Sequence, residues 1–139
     1  MNTTKLNFRI DLILGFAFML VLLSGLTARA APERMGLHAF IGLGLSFGIV
    51  IHLILHRKWM AAAGRSSEKS GPLKPNLWLT RLLAVTWLWT LLSGLHGHLD
   101  PINGTPTHAL AAASMTGILL IHLARHWKWV VTTTKRYWG

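Results

Sequence analysis

The 139-residue chain contains no cysteine. That absence excludes a disulfide framework, a Cys-ligated zinc, an iron-sulfur cluster held by this chain, and a haem attached covalently through C-x-x-C-H. Acidic side chains are nearly as scarce: four Asp and Glu stand against fourteen Lys and Arg, and charged residues make up only 13% of the chain, well below the roughly 25% of an ordinary soluble domain. The carboxylates near the apolar stretches are Asp11 and Asp100, and no nucleophile sits beside a base in a pattern that points to an enzyme with its own substrate. What the chain has in quantity is apolar surface, 52% hydrophobic residues, and eight histidines.

Four apolar stretches are long enough to cross a bilayer, which takes about 20 helical residues. They run roughly from Ile10 to Ala28, Leu37 to Leu55, Leu77 to Leu95 and His108 to Arg125. The first follows Lys5 and Arg9 and ends near Ala28-Arg29-Ala30, in the manner of a secretory signal peptide, but its apolar run is long for one, and a retained helix is expected. The net charge of +10 would suggest nucleic acid if it were clustered on a soluble domain. Instead it lies between the spans. The second connection carries Arg57, Lys58, Arg65, Lys69, Lys74 and Arg81, and the C-terminal tail carries Arg125, Lys128, Lys135 and Arg136. The first connection has only Arg29 and Arg34 with Glu33, and the third, His96 to Thr107, has neither Lys nor Arg. By the positive-inside rule both termini are expected in the cytoplasm of a bacterial cell, the protein being multi-pass in the inner membrane. The charge is thereby accounted for as topology and attraction to lipid headgroups, and no nucleic-acid partner is expected. Trp59, Trp78, Trp127 and Trp129 fall at the expected cytoplasmic edge, where indoles anchor helices at the interface.

The chain repeats itself. Leu22-Leu23-Ser24-Gly25-Leu26 returns as Leu91-Leu92-Ser93-Gly94-Leu95, 69 residues later, and Ile51-His52-Leu53 with His56, Lys58 and Trp59 returns as Ile121-His122-Leu123 with His126, Lys128 and Trp129, 70 residues later. The expected fold is therefore all-α: a four-transmembrane-helix bundle of two tandem two-helix repeats in the same orientation, within a single membrane domain. Repeat one covers about 8–60, repeat two about 77–130, and a Gly/Ser/Pro-rich cytoplasmic linker about 61–76. Helices 2 and 4 are parallel, so equivalent residues on them share a depth.

Helix 2 carries His38 and His52, helix 4 carries His108 and His122, and each pair is 14 residues apart. On an α-helix that spacing brings the two side chains within about 40° of one another and about 21 Å apart along the axis. Across the repeat, His38 is thus matched with His108 near the outer surface and His52 with His122 near the inner one. Two imidazoles at one depth are what a six-coordinate haem iron requires beyond its four porphyrin nitrogens. Small residues that leave room for a flat macrocycle fall on the histidine face at Gly42 and Gly48, and at Ala111, Ala112 and Gly117 on helix 4, although such residues also serve ordinary close packing of membrane helices. The competing reading of the histidines, polar residues hydrogen-bonded between helices, is weakened by their recurrence at identical spacing. A zinc or copper site is a further possibility, but two histidines per depth fall short of the three or four ligands that zinc takes. His56 and His126, one turn further on and beside Arg57-Lys58 and Arg125, are expected at the headgroup interface. His96 and His98, with no counterparts in repeat one, are read either as surface-loop residues or as groups handling protons near a quinone or bonding a haem propionate. Asp11 is expected to pair with a nearby Arg or Lys.

With His38-x13-His52 and Gly42, and His108-x13-His122, in a doubled two-helix unit ending in His-Leu and Lys-Trp, the chain resembles the small four-helix membrane cytochrome b family. More distantly it resembles the haem-binding core of cytochrome b from quinol:cytochrome c oxidoreductases, without that protein's additional helices or a recognisable quinol-oxidising pocket. The resemblance covers nearly the whole chain. It implies two non-covalent b haems, one on His38 and His108 and one on His52 and His122, carrying electrons across the membrane. The expected role is an electron-transfer subunit of an oxidoreductase complex rather than a stand-alone enzyme, with membrane lipid, partner redox subunits and the quinone pool as partners. Two alternatives stand beside it: a haemless scaffold or assembly subunit, and a histidine-based metal-ion transporter or sensor.

Overall fold

The computed structural model describes residues 3–70 and 75–138. Among them the chain is helical, with no strand: α1 (Thr3–Ala30), a short 3-10 turn (Pro32–Arg34), α2 (Met35–Ser70), α3 (Pro75–Leu99) and α4 (Pro101–Trp138). All four helices are long and apolar enough to span a membrane, which makes this a multi-pass membrane protein of the expected all-α class. The large apolar side chains that would form a core in a soluble protein are instead on the surface: Phe16, Phe40, Phe47, Leu43, Leu95 and Leu110 are all exposed. In water this surface would aggregate; in hydrocarbon it is the surface that lipid solvates.

The chain divides into two compact units, Met1–Trp59 and Met60–Gly139. In the first, α1 and α2 meet through side chains. Ser24 reaches His38, Gly48 faces Leu14 and Asp11 reaches His52. Residue numbers fall along one helix as they rise along the other, which defines an antiparallel hairpin. Phe8, Ala28 and Leu45 are its buried apolar residues.

In the second unit α3 and α4 approach backbone to backbone. A Cβ on Gly104 would lie 2.4 Å from the Gly97 Cα, and one on Gly97 would lie 3.2 Å from the Gly104 carbonyl carbon. No side chain fits between them. Ala111, Met115, Thr86 and Ser93 are buried further along the same unit.

Two expected connections are shorter than the sequence suggests. The stretch His96 to Thr107, read as a loop, is helical except for Asp100. Asp100 ends α3 by donating its amide to the His96 carbonyl (2.7 Å) and starts α4 by accepting from the Gly104 amide at its own carbonyl (2.9 Å). Its carboxylate caps the new helix, Oδ1 accepting from the Asn103 amide (3.3 Å) and Oδ2 from the Asn103 side chain (2.8 Å). Pro101 at the first helical position needs no donor there. The linker expected over about 61–76 is helical as far as Ser70, because Met60-Ala61-Ala62-Ala63 are strong helix formers that carry α2 onward past the apolar segment. Linker residues 71–74, and the side chain of the expected interface residue Trp59, lie outside the described residues; Trp78, Trp127 and Trp129 are exposed, as interfacial anchors require.

Candidate functional site

The two Ser-Gly repeats on α1 and α3 and the histidines at the starts of α2 and α4 are the two halves of one contact. Ser24 Oγ donates its only hydrogen to the Val21 carbonyl (2.9 Å) and lies 3.1 Å from His38 Nδ1. With its hydrogen on Val21 the hydroxyl is an acceptor for the imidazole, an arrangement that the Nδ1–H tautomer completes and that leaves the lone pair on Nε2. In the second unit His108 Nδ1 donates to the Thr90 carbonyl at 3.0 Å, with Ser93 Oγ at 3.4 Å. A carbonyl has nothing to donate, and the tautomer is again Nδ1–H. Beneath each ring is the glycine of the same repeat: a Cβ on Gly25 would stand 3.0 Å from His38 Cε1, and one on Gly94 3.1 Å from His108 Cε1. Each histidine is thus laid on a glycine, has Nδ1 against an oxygen of the preceding helix, and is half-buried.

The second histidine layer has different surroundings in the two units. In the first, His52 Nδ1 is 2.9 Å from Asp11 Oδ1, both side chains being about one-third exposed or less. Asp11 therefore faces a histidine rather than the expected Arg or Lys. A carboxylate within the apolar span of α1 finds its partner on the neighbouring helix, while exposed Arg9 stays at the surface. The approach is close but poorly aligned for a hydrogen bond, so that Asp11 Oδ1 and His52 Nδ1 are both buried atoms without a hydrogen-bond partner, as is His56 Nε2. His56 also departs from its expected place at the headgroups. Its ring packs on that of His52, centroids 4.5 Å apart, and one ligand atom from each of Asp11, His52 and His56 falls within 4.8 Å of the others. In the second unit His122 and His126 form the matching ring pair, 4.6 Å between centroids. The position that corresponds to Asp11 at the 69-residue offset is Thr80.

The small residues divide. Gly42 and Gly117 have open space where a side chain would be, whereas a Cβ on Gly48 would come 2.7 Å from Leu14 Cδ2, so Gly48 is occupied with packing inside its own hairpin. Ala112 is half-buried and Ala111 fully buried. His96 and His98 are exposed on the last turn of α3. The residues that sequence reading missed are Ser24, Gly25, Thr90, Ser93 and Gly94. The first two and last two were visible as a repeat; only the fold shows that they touch the histidines. Comparisons with protein-family models, with curated proteins and with solved structures find no match to this chain.

Proposed function

We propose that the protein is a b-type membrane cytochrome, an electron-transfer subunit that holds two haems non-covalently, one on His38 and His108 and one on His52 and His122. The observation that supports this reading most is the shared setting of His38 and His108, each with Nδ1 against an oxygen of the preceding helix. A histidine that ligates iron must offer one nitrogen as a lone pair, and the bond at the other nitrogen fixes which one and how the ring is turned. The residues fit a porphyrin in two further respects: Gly42 and Gly117 leave open space on the histidine-bearing helices, and the apolar surroundings suit a macrocycle.

The haem supplies a one-electron couple when bound. The chain's part is to hold and orient: Ser24 and Thr90 set the imidazole planes, Gly25 and Gly94 let the rings lie flat, and the apolar helices keep water away. A haem held by two imidazoles would have no position left for oxygen, so the chemistry it would supply is electron transfer. Donor and acceptor are partner redox subunits or the quinone pool. In a bacterial cell the protein belongs in the inner membrane, with both termini cytoplasmic by the distribution of Lys and Arg.

The test is a dithionite-reduced minus oxidised spectrum of the detergent-purified protein with a pyridine haemochrome count. Two low-spin b haems per chain are expected, and His52→Ala should remove one of them. Colourless protein from cells well supplied with haem, or equal retention of both haems in that variant, refutes the assignment. One observation favours a second reading: the unpartnered ligand atoms of Asp11, His52 and His56 are a donor set that a divalent cation takes, as in a metal-ion transporter or sensor. Metal analysis showing zinc or another transition ion without porphyrin would put that reading in front.

A further inference from the structure

The two repeats match in their helices and their histidines but not in their buried charge. Asp11 is an acidic residue inside a candidate span, Lys5–Ala30, and its Oδ1 is 2.9 Å from His52 Nδ1. At the corresponding position of repeat two stands Thr80. The oxygens that steer His38 and His108 are a serine hydroxyl and a peptide carbonyl, both uncharged. One pair of histidines thus has a carboxylate beside a ring, while the oxygens that orient the other pair are neutral.

We infer that Asp11 sets the order of the two haem potentials, making the haem on His52 and His122 the lower and the haem on His38 and His108 the higher. The inference rests on the dihaem reading above. A haem held by His52 and His122 would carry one more positive charge when oxidised than when reduced. A fixed carboxylate beside a ligand ring stabilises the oxidised form and lowers the potential. Low dielectric in the span keeps this interaction from being screened away. Arg9 on α1 and Arg57 and Lys58 on α2 are exposed and are screened by water and headgroups; Lys5, six residues before Asp11 on α1, is half-buried and is the remaining cation at this end of the hairpin. Asp11 is accordingly a positioning and tuning residue that acts through His52. Its consequence is a direction: with both haems bound, transfer of one electron from the haem beside Asp11 to the haem beside Ser24 would run downhill.

The test is a potentiometric titration at one fixed pH, followed at the α band, of the haem-loaded full chain and of Asp11→Asn, Asp11→Glu and Thr80→Asp. Single-haem variants His38→Ala and His52→Ala assign the components. The wild type should resolve two components, with the lower one lost in His52→Ala. Asp11→Asn should raise the lower component and leave the upper one in place; Asp11→Glu should restore most of the difference, and Thr80→Asp should lower the same component further. Thr80→Asp keeps the inference testable if Asp11→Asn fails to accumulate. Two haems with potentials unmoved by all three substitutions, or movement of the upper component instead, overturn this inference alone. Absence of haem from the wild type overturns the dihaem reading and this inference with it, and a non-haem metal lost in Asp11→Asn transfers the carboxylate to cation binding.

Discussion

A glycine under an imidazole is a demanding arrangement, because the ring fills the space where any side chain would begin. At Gly25 and Gly94 the clearance for a Cβ is 3.0 and 3.1 Å, tight enough that alanine forces the ring to shift by a few tenths of an ångström and leucine displaces it. On the haem reading, Gly94→Leu is expected to abolish ligation by His108 and to leave one haem per chain, with helical content unchanged by circular dichroism. Ser24→Ala is a milder probe. It removes the hydroxyl's bonds to the Val21 carbonyl and to His38, each worth about 0.5–1.5 kcal/mol, and frees the His38 ring to turn; weaker haem retention on dilution, measured by pyridine haemochrome after gel filtration, is the expected outcome. The repeated Ser-Gly and the repeated histidines were each legible in the sequence as repeats. That they are partners was not, because residues 24 and 38 meet only once the chain has reversed.

At the scale of helices, the α3–α4 reversal turns on Gly97, Asp100 and Gly104. Gly104→Ala inserts a methyl group 2.4 Å from a backbone atom, and backbone cannot rotate away as a side chain can. A loss of about 1–3 kcal/mol, typical of overpacking, should appear as a lower midpoint of thermal unfolding in detergent. Asp100 is held below the usual carboxylate range, first by the Asn103 side-chain bond and then by the Asn103 amide. Because its pKa in the folded protein is depressed, the cap is fully formed above the ordinary carboxylate pKa and is lost as the pH falls through the folded value. Titration of the Asp100 carboxyl by NMR should show this, and Asn103→Ala should move it back up. The stretch from His96 to Thr107 looked like a loop because it combines glycines, prolines and Asp100. In the structure Pro101 opens a helix, Pro106 is taken up inside it, and the glycines make two helices touch. Local composition signals a break in the chain direction, but a single residue suffices to make it.

For the whole molecule, helix lengths exceed what the bilayer needs. At 36 and 38 residues, α2 and α4 are about 54 and 57 Å long, against a hydrocarbon core of about 30 Å. Their basic C-terminal ends therefore continue past it. The absence of cysteine makes topology directly measurable. A cysteine introduced in place of exposed Ile102 should be labelled from outside intact cells by a membrane-impermeant maleimide, and one in place of exposed Arg65 only after the membrane is opened. Labelling in the opposite pattern would invert the expected orientation.

Membrane residence, four spans and a doubled two-helix plan were determined by the sequence alone, because they depend on quantities that add along a chain: apolar length, basic residues between spans, and recurrence at a fixed offset. The histidines could be chosen for the same reason, since helical spacing is local arithmetic. What only the tertiary structure decided was which side chains those histidines meet. Ser24 steers His38, the Thr90 carbonyl steers His108, Asp11 faces His52 instead of a lysine or arginine, and Gly48 is taken up by Leu14. These contacts join residues 14 to 41 positions apart. They depend on the register and separation of two antiparallel helices, and a shift of one residue in that register would turn each histidine away from its partner.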